Sequence, residues 1–423
     1  MGDLLRTPSG NHQNPGEILT QNVGYVARQP ILDRRGAVFG YELHLHEPFV
    51  ETPGNPARPG LHALLDAVGL FGVERFTGGS RAFIACTCEM LMEGAFEGLP
   101  PSGLVLQIPA PTEISPRLLR ACRKLKEAGF QLALSESEAG ERTDGFIQVF
   151  DYIKIDAAQL ESAEWDQFLK RRLHGPATVV GDNVHSHETY RTARGAGLEY
   201  FKGFYFSNPE LIPGGRIPAN RIWHFEMLRE LFKDPLDLKS LCPLVERDPS
   251  LLYRVLRFIN SPLCAVRMPV TSIEMAIIML GDATFRRIAT LAIQCAASQH
   301  QSPELVNMAM TRSRFCASGA SLAGLDADEQ YLVGMISLLP PMLGVTMGLI
   351  LPGLPLRDPV RDALAGIPVK ERCLLSWIEA LENDRVAECE SLAQQYRLDR
   401  HELMRFYIAA LEEARAVLSA TEN

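Results

Sequence analysis

The sequence predicts an α/β domain followed by an all-α domain, with a trimmed barrel of TIM-like (β/α) type in the first half. Short β-rich runs alternate with amphipathic helical stretches from residue 23 to about residue 207, the pattern of a mostly parallel sheet. Beyond the middle of the chain the hydrophobic period changes to 3.6 residues and stays there. The 423 residues suffice for two domains of about 200 residues each.

The β-rich runs are numerous enough to close a barrel. They read VGYVARQPIL, VFGYELHLH, RAFIACT, LVLQIP, QLALS, YIKID, TVVGDNV and YFKGFYFS. The first two should form a hairpin, because the segment Asp33-Arg34-Arg35-Gly36 places glycine where a tight turn needs a positive φ. With roughly 185 residues this half is shorter than the ~250 typical of (β/α) barrels, so some helices or loops must be trimmed.

The predicted domain organisation has four parts. They are a flexible polar tail at 1–20, the barrel at 21–208, a linker at 209–218 and the helical domain at 219–423. A cluster of prolines and glycines places the linker.

Capping and breaking residues predict helix boundaries in the second half. Thr271 is expected to cap a helix that ends at Gly281, and Asp282 opens the next one. A further helical pattern runs continuously over 328–347.

Charge and composition exclude several classes of partner. The net charge is −9, with 42 Lys and Arg against 51 Asp and Glu, so no nucleic-acid partner is expected. No apolar run reaches the roughly 18 residues that a membrane span needs, so no membrane association is expected either. The nine cysteines are scattered and odd in number, which is typical of a reducing compartment. The sequence therefore predicts a cytoplasmic protein.

Several motifs carry a resemblance to a known family. The strands YELHLHE, YIKID and KGFYFSNP resemble, in order and spacing, the EAL domain, a barrel that hydrolyses cyclic di-GMP in its active members. The later segments ERDPSLLYRVLRFINSPL and YLVGMISLLPPMLG resemble the HDOD domain. Over about residues 21 to 415 the chain thus resembles the EAL–HDOD two-domain signalling proteins of bacteria. The resemblance implies an EAL-type barrel followed by an HDOD helical domain.

Transferred through this resemblance, the site of an active EAL barrel is only partly present. Glu42, Lys154 and Asp156 are retained, and Asp182 replaces a longer glutamate. His46 stands where the family carries an arginine that grips phosphate, and imidazole cannot form the same bidentate fork. The favoured interpretation of Lys154 and Asp156 is a structural pair that completes the top of the barrel.

Other family positions have changed. The substitutions are Ala85 for a metal-binding asparagine, Gln107 or Ala110 for a glutamate, Ser135 and Glu136 for an acidic pair, and Lys202 for a glutamine. Two hard cations need a nearly complete set of oxygen ligands to clamp a phosphodiester. The resemblance therefore implies a degenerate EAL domain, with no metal and no cofactor, and the prediction is that the chain is not an enzyme.

One alternative is a transition-metal site. Glu42, His44 and His46 alternate along one strand and therefore share a face, and His185 and His187 form a second such pair. Packing of these histidines at the barrel interior and rim is the favoured interpretation.

The helical half lacks the residues of a metal-dependent phosphohydrolase. That chemistry needs an adjacent His-Asp pair, and the histidines beyond residue 212, His224, His300 and His401, are not followed by aspartate. The HDOD half is accordingly predicted to be non-hydrolytic.

The leading functional hypothesis is a non-catalytic regulatory protein that acts by protein–protein interaction. Its partner-binding candidates surround one loop of the helical domain: Arg254, Arg257, Asn260, Leu263 and Val266. An apolar loop rimmed by arginines has the anatomy of a modest interface. The competing interpretation makes Asn260 a helix stop that satisfies loop backbone groups, with the apolar residues folded onto the bundle.

The expected partner is a protein, and self-association is left open. Cyclic di-GMP is expected to bind weakly or not at all, because His46 cannot fork a phosphate and metal ligands are missing. The alternatives from other classes are a cyclic di-GMP receptor and a residual cyclic di-GMP phosphodiesterase.

Overall fold

The computed structural model describes most of the chain, and the structural statements below concern those residues. They are 25–46, 73–96, 99–109, 115–136, 146–160, 169–171, 173–208, 219–246, 255–257, 259–260, 270, 272–297 and 302–422. The predicted tail at 1–20 and the predicted linker at 209–218 lie outside them.

Eight strands close into a barrel in sequence order, which confirms the predicted fold class. The strands are β1 Tyr25–Asp33, β2 Val38–His46, β3 Arg81–Ala85, β4 Leu104–Pro109, β5 Gln131–Glu136, β6 Tyr152–Asp156, β7 Thr178–Asp182 and β8 Tyr200–Lys202. β1 runs antiparallel to both of its neighbours, β2 and β8, whereas the other pairs are parallel. The short turn that joins β1 to β2 allows only an antiparallel pair. In that turn Gly36 has φ +79°, as the hairpin prediction requires.

The barrel interior is filled in layers. The lower layer is apolar and consists of Ile31, Phe83, Val105, Ala133, Tyr152 and Val180. Because side chains alternate across a strand, residues two positions further along also face inward. On β3 to β7 those positions hold Ala85, Gln107, Ser135, Lys154 and Asp182, and Glu42 on β2 and Lys202 on β8 contact them inside the barrel. This polar layer lies toward the carboxyl ends of the parallel strands, the end where barrel proteins place their functional sites.

The helices around the barrel are short, as the trimmed size predicts. They are α1 Glu74–Thr77, α2 Cys88–Met92, α3 Pro116–Glu127 and α4 His187–Gly195. The longest of them, α3, begins at the Ser115 cap, whose hydroxyl accepts a hydrogen bond from the backbone N–H of Leu118 at 3.1 Å. It buries Leu118, Cys122 and Leu125 against the strands, a helical spacing that leaves its charged face in solvent.

The second half is helical throughout its described residues. Its helices are α5 Ala219–Leu231, α6 Leu238–Glu246, α7 Ile273–Leu280, α8 Asp282–Ala297, α9 Pro303–Ala323, α10 Ala327–Ile336, α11 Leu339–Leu343, α12 Met347–Ile350, α13 Asp358–Leu364, α14 Cys373–Glu382, α15 Val386–Tyr396 and α16 Arg400–Glu422.

Two helix boundaries differ from the sequence prediction. Ser272, rather than Thr271, caps α7, because its hydroxyl accepts from the N–H of Met275 at 3.2 Å. The continuous helix expected over 328–347 is broken: α10 ends at Ile336 and α11 begins three residues later. Pro340-Pro341 explains the break, since proline lacks the N–H that a continuing helix would use.

The helical half covers the outer face of the first hairpin. A βα unit would place a helix there, but β1 turns directly into β2, and α14 packs against β1 instead. The guanidinium of Arg28 on β1 lies 3.4 Å from a carboxylate oxygen of Glu304 on α9. The hydroxyl of Tyr41 on β2 donates to the other oxygen of Glu304 at 2.7 Å. One apolar core consequently runs from the outside of the barrel into the helices.

Candidate functional site at the carboxyl end of the barrel

Four charged side chains form a closed ring in the polar layer of the barrel. The Lys154 ammonium lies 2.6 Å from Oε2 of Glu42 and 3.0 Å from Oδ2 of Asp182. The Lys202 ammonium lies 2.7 Å from the same oxygen of Glu42 and 2.9 Å from Oδ1 of Asp182. Each cation therefore bridges both carboxylates. We call Glu42, Lys154, Asp182 and Lys202 the charged ring.

The barrel topology brings the ring together. Its members come from β2, β6, β7 and β8, which are distant in sequence, and inward alternation places each at the same height. The Lys154 side chain is only 1% exposed, whereas Asp182 retains 20% exposure. The ring is thus buried on one side and reachable from solvent at Asp182.

Electrostatics favour the charged forms of Glu42, Asp182 and Lys202. Burial alone would raise the pKa of Glu42, but the ammonium groups of Lys154 and Lys202 outweigh it and hold that pKa far below its usual range. The same balance lowers the pKa of Asp182. Burial would lower the pKa of Lys202, and the two carboxylates raise it instead. Glu42, Asp182 and Lys202 are therefore all charged at neutral pH.

The donor set of the polar layer does not fit two hard cations. The carboxylates of Glu42 and Asp182 are each occupied by two ammonium groups, and Ala85 offers no ligand. The side-chain amide of Gln107 donates a hydrogen bond to Oε1 of Glu42 at 3.2 Å. Among the residues that the structure describes, no group of three or more His, Cys, Asp or Glu side chains is arranged to hold a metal ion. Ala110 and the side chain of Glu136 lie outside the described part.

Asp156 takes a different role from the expected pair with Lys154. Its carboxylate accepts from the backbone N–H of Ala158 at 3.0 Å and caps the short turn that follows β6. Lys154 pairs with Glu42 and Asp182 instead. The reason is geometric, because Lys154 reaches Asp182 on the neighbouring β7 and Glu42 across the barrel, while Asp156 lies at the strand end beside its own loop.

The two histidines of β2 converge on a carboxylate from the helical half. Nε2 of His46 lies 2.6 Å from Oδ1 of Asp384, and Nδ1 of His44 lies 3.2 Å from Oδ2 of the same residue. His44 also approaches Glu42 at 3.8 Å. Burial lowers the pKa of His44, although Glu42 and Asp384 oppose that shift.

The second histidine pair lies elsewhere. The ring of His187 contacts the backbone carbonyl of Asn208 at 3.0 Å, and the carbonyl of His185 accepts from the Asn208 amide at 2.6 Å. These contacts pin the loop before α4 to the end of the barrel. The two His-x-His segments are therefore not brought to one site.

The predicted partner-binding loop is described only in part. Arg254, Leu263 and Val266 lie outside the described residues, and Arg257 is half-buried in a helix. The Asn260 side chain donates to the carbonyl of Val270 at 2.8 Å and accepts from its N–H at 2.7 Å. Asn260 thus joins the two ends of the loop, which is the geometry of the helix-stop interpretation.

Sequence reasoning missed two members of the site. From the sequence alone, Lys202 is only the replacement of a glutamine of the EAL family. A lysine introduced among retained carboxylates such as Glu42 and Asp182 is a signal for an ion pair. Asp384 carries no signal in the sequence that would link it to β2, because the contact spans 338 residues and depends on how the helices dock.

Comparison with known proteins defines the class. The profile of the HDOD domain matches residues 222–338. Together with the closed eight-stranded barrel before it, this match confirms the predicted fold class, a barrel followed by an HDOD helical domain.

Particular relatives extend over most of the chain. The Bacillus subtilis protein YuxH, which is described as uncharacterized, is 29% identical over 94% of this chain and 99% of its own length. The cyclic di-GMP phosphodiesterase CdgJ of Vibrio cholerae is 26% identical over 82% of each chain.

Solved structures resemble the barrel weakly. An EAL domain protein of Listeria monocytogenes is 17% identical and covers 46% of this chain and 93% of its own, with a TM-score of 0.34. A manganese and cyclic di-GMP complex of Klebsiella pneumoniae BlrP1 is 21% identical and covers 43% and 55%, with a TM-score of 0.35. At these TM-scores the likeness supports no inference about function.

The relationship to CdgJ overturns the prediction that the chain is not an enzyme. That prediction was wrong because it rested on counting metal ligands in aligned positions. A relative that shares most of the length of this chain is named a phosphodiesterase, so missing ligands do not establish inactivity.

Helix length and polarity bear on the predicted absence of a membrane span. None of the helices in the described ranges is both long and apolar enough to cross a bilayer. The cytoplasmic location stays a prediction.

Proposed function

We propose that this chain is a cyclic di-GMP signalling protein that binds the cyclic dinucleotide at the carboxyl end of its barrel. The charged ring is the observation that carries the proposal. Taking a charge out of water costs several kcal/mol per ion in real proteins. The apolar layer beneath shows that side chains such as Phe83 and Val105 can fill the barrel without that cost. Four charged groups, three of them buried, at the functional end of a barrel therefore favour a binding role over a structural one.

The chemistry of the ring suits a phosphodiester. Ammonium groups bind phosphate oxygens as point charges, and Lys154 and Lys202 present two of them on one layer. Glu42 and Asp182 pair with both of those cations. A phosphate that enters beside the partly exposed Asp182 would compete with carboxylates that already hold the lysines in place. The barrel would then bind anions through preformed cations, with no step that requires a metal.

Hydrolysis of the same ligand is the second candidate, and the relative CdgJ favours it. Glu42 and Asp182 are ionised at neutral pH, so the carboxylate of either can accept a hydrogen bond from a water molecule and orient it toward the phosphorus. Because the ring does not fit two cations, we derive no metal-dependent step.

The test is calorimetry with cyclic di-GMP on the full chain, wild type against Lys202→Gln. Lys126→Gln is the matched control, since Lys126 pairs with Asp151 on the outside of the barrel. We expect wild-type binding, at least tenfold weaker binding for Lys202→Gln and no change for the control. Circular dichroism checks that each variant is folded. Chromatography of the nucleotide after incubation with Mg²⁺ or Mn²⁺ tests turnover. The proposal is refuted if folded wild-type protein neither binds cyclic di-GMP nor hydrolyses it.

Transmission of the signal to other proteins follows the hypothesis that this chain acts by protein–protein interaction. We propose that the helical domain passes the signal to a protein partner through the loop that Asn260 closes. The double change Leu263→Asp with Val266→Asp should abolish capture of that partner and leave the thermal midpoint nearly unchanged. A midpoint lower by roughly 10 °C or more would instead make the loop part of the core.

A further inference from the structure

A carboxylate of the helical domain sits at the mouth of the barrel. Asp384 lies in the short connection between α14 and α15, far in sequence from the strand that it touches. Its two oxygens contact His46 and His44, one imidazole each. Both histidines lie on the inner side of β2, and His44 is within 3.8 Å of Glu42 in the charged ring. The contact therefore joins the helical domain to the edge of the proposed ligand site.

The backbone around Asp384 is built to present that side chain. Asp384 has φ +57°, in the left-handed region that residues other than glycine seldom adopt. Its N–H donates to the carbonyl of Leu381 at 3.0 Å, and the N–H of Arg385 donates to Ala380 at 2.9 Å. The Asn383 side chain adds a bond to the carbonyl of Glu379 at 2.7 Å. These bonds hold the connection in the conformation that presents the Asp384 carboxylate to β2.

A second contact holds α15 at the same edge of the barrel. The hydroxyl of Tyr25 donates to Glu390 on α15 at 2.6 Å, and Tyr25 is the cross-strand partner of His46. Arg400 approaches the same carboxylate at 3.3 Å. Asp384 itself is still 27% exposed, so the carboxylate is accessible to solvent at the rim.

We propose that Asp384 is an internal stand-in for a ligand phosphate, and that a phosphodiester entering the barrel must displace it from His44 and His46. A carboxylate and a phosphate offer imidazole N–H groups the same kind of anionic oxygen acceptor. Where one such anion already sits, a second meets like-charge repulsion and loses its donors. This inference rests on the proposed binding function and deepens it, because it assigns the histidine pair to the ligand and Asp384 to its exclusion.

Displacement would also give the barrel a way to signal. Binding that breaks the Asp384 contacts frees the α14–α15 connection from β2, so occupancy of the barrel changes the restraints on the helical domain. Linkage makes this reciprocal: a partner that pulls the connection away would raise the affinity of the barrel for its ligand by the same factor.

The experiment measures binding of cyclic di-GMP to the full chain by calorimetry in wild type, Asp384→Asn and Asp384→Gly. Asparagine removes the charge with little change in shape. Glycine also removes it and tolerates the positive φ, so it keeps the connection intact. Asp358→Asn is the control, because Asp358 is exposed and pairs only locally with Arg361. We expect both Asp384 variants to bind about tenfold more tightly, since a closed competing state no longer reduces the apparent affinity.

Hydrogen exchange supplies a readout that needs no ligand. In ligand-free protein, amides at the end of β2 and in the α14–α15 connection should exchange faster in Asp384→Asn than in wild type. In wild type, the addition of cyclic di-GMP should likewise speed up amide hydrogen exchange in the α14–α15 connection. Unchanged or weaker binding by both variants, or unchanged exchange, overturns the inference. If exchange rises in Asp384→Asn but no variant binds the dinucleotide, the contact is real, while the displacement inference and the proposed function both fail.

Discussion

Each lysine of the charged ring contacts both carboxylates, so the loss of one cation leaves two buried anions sharing the other. Lys154 is the more critical of the two because it is almost completely buried. Removing one partner of a buried pair is costly mainly because of the uncompensated charge that stays behind.

Lys154→Met should therefore lower the free energy of unfolding by roughly 3–5 kcal/mol. Lys126→Met, which breaks a partly exposed pair with Asp151, should cost less than about 1 kcal/mol. Urea unfolding followed by circular dichroism measures both. Similar losses in the two variants would mean that the ring contributes no more than a surface ion pair.

The ring also predicts how stability depends on pH. The folded-state pKa values of Glu42 and Asp182 lie below their unfolded values of about 4.3 and 3.9, so the unfolded chain binds more protons in acid. Their contribution is complete above about pH 5 and is lost as the pH falls through the folded-state values. The thermal midpoint should fall steadily below pH 5, and less steeply in Lys154→Met, whose carboxylates lack one cation. If the thermal midpoint falls equally steeply with pH in wild type and in Lys154→Met, the charged ring is not the source of the pH dependence.

Single residues show what could be predicted from the sequence. Glu42, Lys154 and Asp182 were identified through the resemblance to the EAL domain, whose motifs mark these positions on their strands. Lys202 and Asp384 were not, because their importance depends on partners from other strands or from another domain. Asp156 was assigned to the wrong partner because adjacency in sequence says little about contacts across a barrel.

At the scale of elements, two helices of the second half approach very closely. A Cβ at Gly334 on α10 would lie 2.6 Å from the backbone carbonyl of Arg312 on α9. Arg312 is itself buried, with its guanidinium 2.6 Å from Glu382 on α14. The absence of a side chain at Gly334 thus lets three helices share one polar contact within the core.

Gly334→Ala should reduce the free energy of unfolding by about 1–3 kcal/mol, because backbone cannot move aside as a flexible side chain can. Gly195→Ala is the matched control: a Cβ there meets nothing within 4 Å, and alanine favours the helix by about 0.5–1 kcal/mol. Chemical denaturation should shift the two midpoints in opposite directions. A neutral Gly334→Ala would show that α9 and α10 can separate at low cost.

Elements were predicted well where a local signal exists. The β1–β2 hairpin, the stop at Gly281 and the helix start at Asp282 follow from turn and cap residues. The broken helix at Pro340-Pro341 had such a signal, but the apolar period continued across it and suggested a single helix. Docking of α14 on β1 has no local signal, since it depends on the shape of both domains.

For the whole molecule, the shared core is the dominant feature. Arg28, Tyr41 and Glu304 bury polar groups between the halves, and the outer face of β1 has the helical domain as its cover. Separating the two would expose both the strand and the paired charges.

The full chain should consequently unfold in one calorimetric transition. A fragment of residues 213–423 alone should melt at least about 5–10 °C lower, because it loses that contact surface. Glu304→Gln in the full chain should shift the midpoint less than the truncation does. Two separate transitions in the full chain would contradict the shared core.

The docking of the helical domain on β1 has a consequence for synthesis on the ribosome. Arg28 emerges 276 residues before Glu304. At translation rates of about 5–20 residues per second, the outer side of the first hairpin waits roughly 14–55 s for its cover. Throughout that interval the nascent barrel exposes apolar strand surface of the kind that chaperones recognise. Truncated messages that stop before α9 should therefore yield aggregated product, whereas those extending through α16 should not.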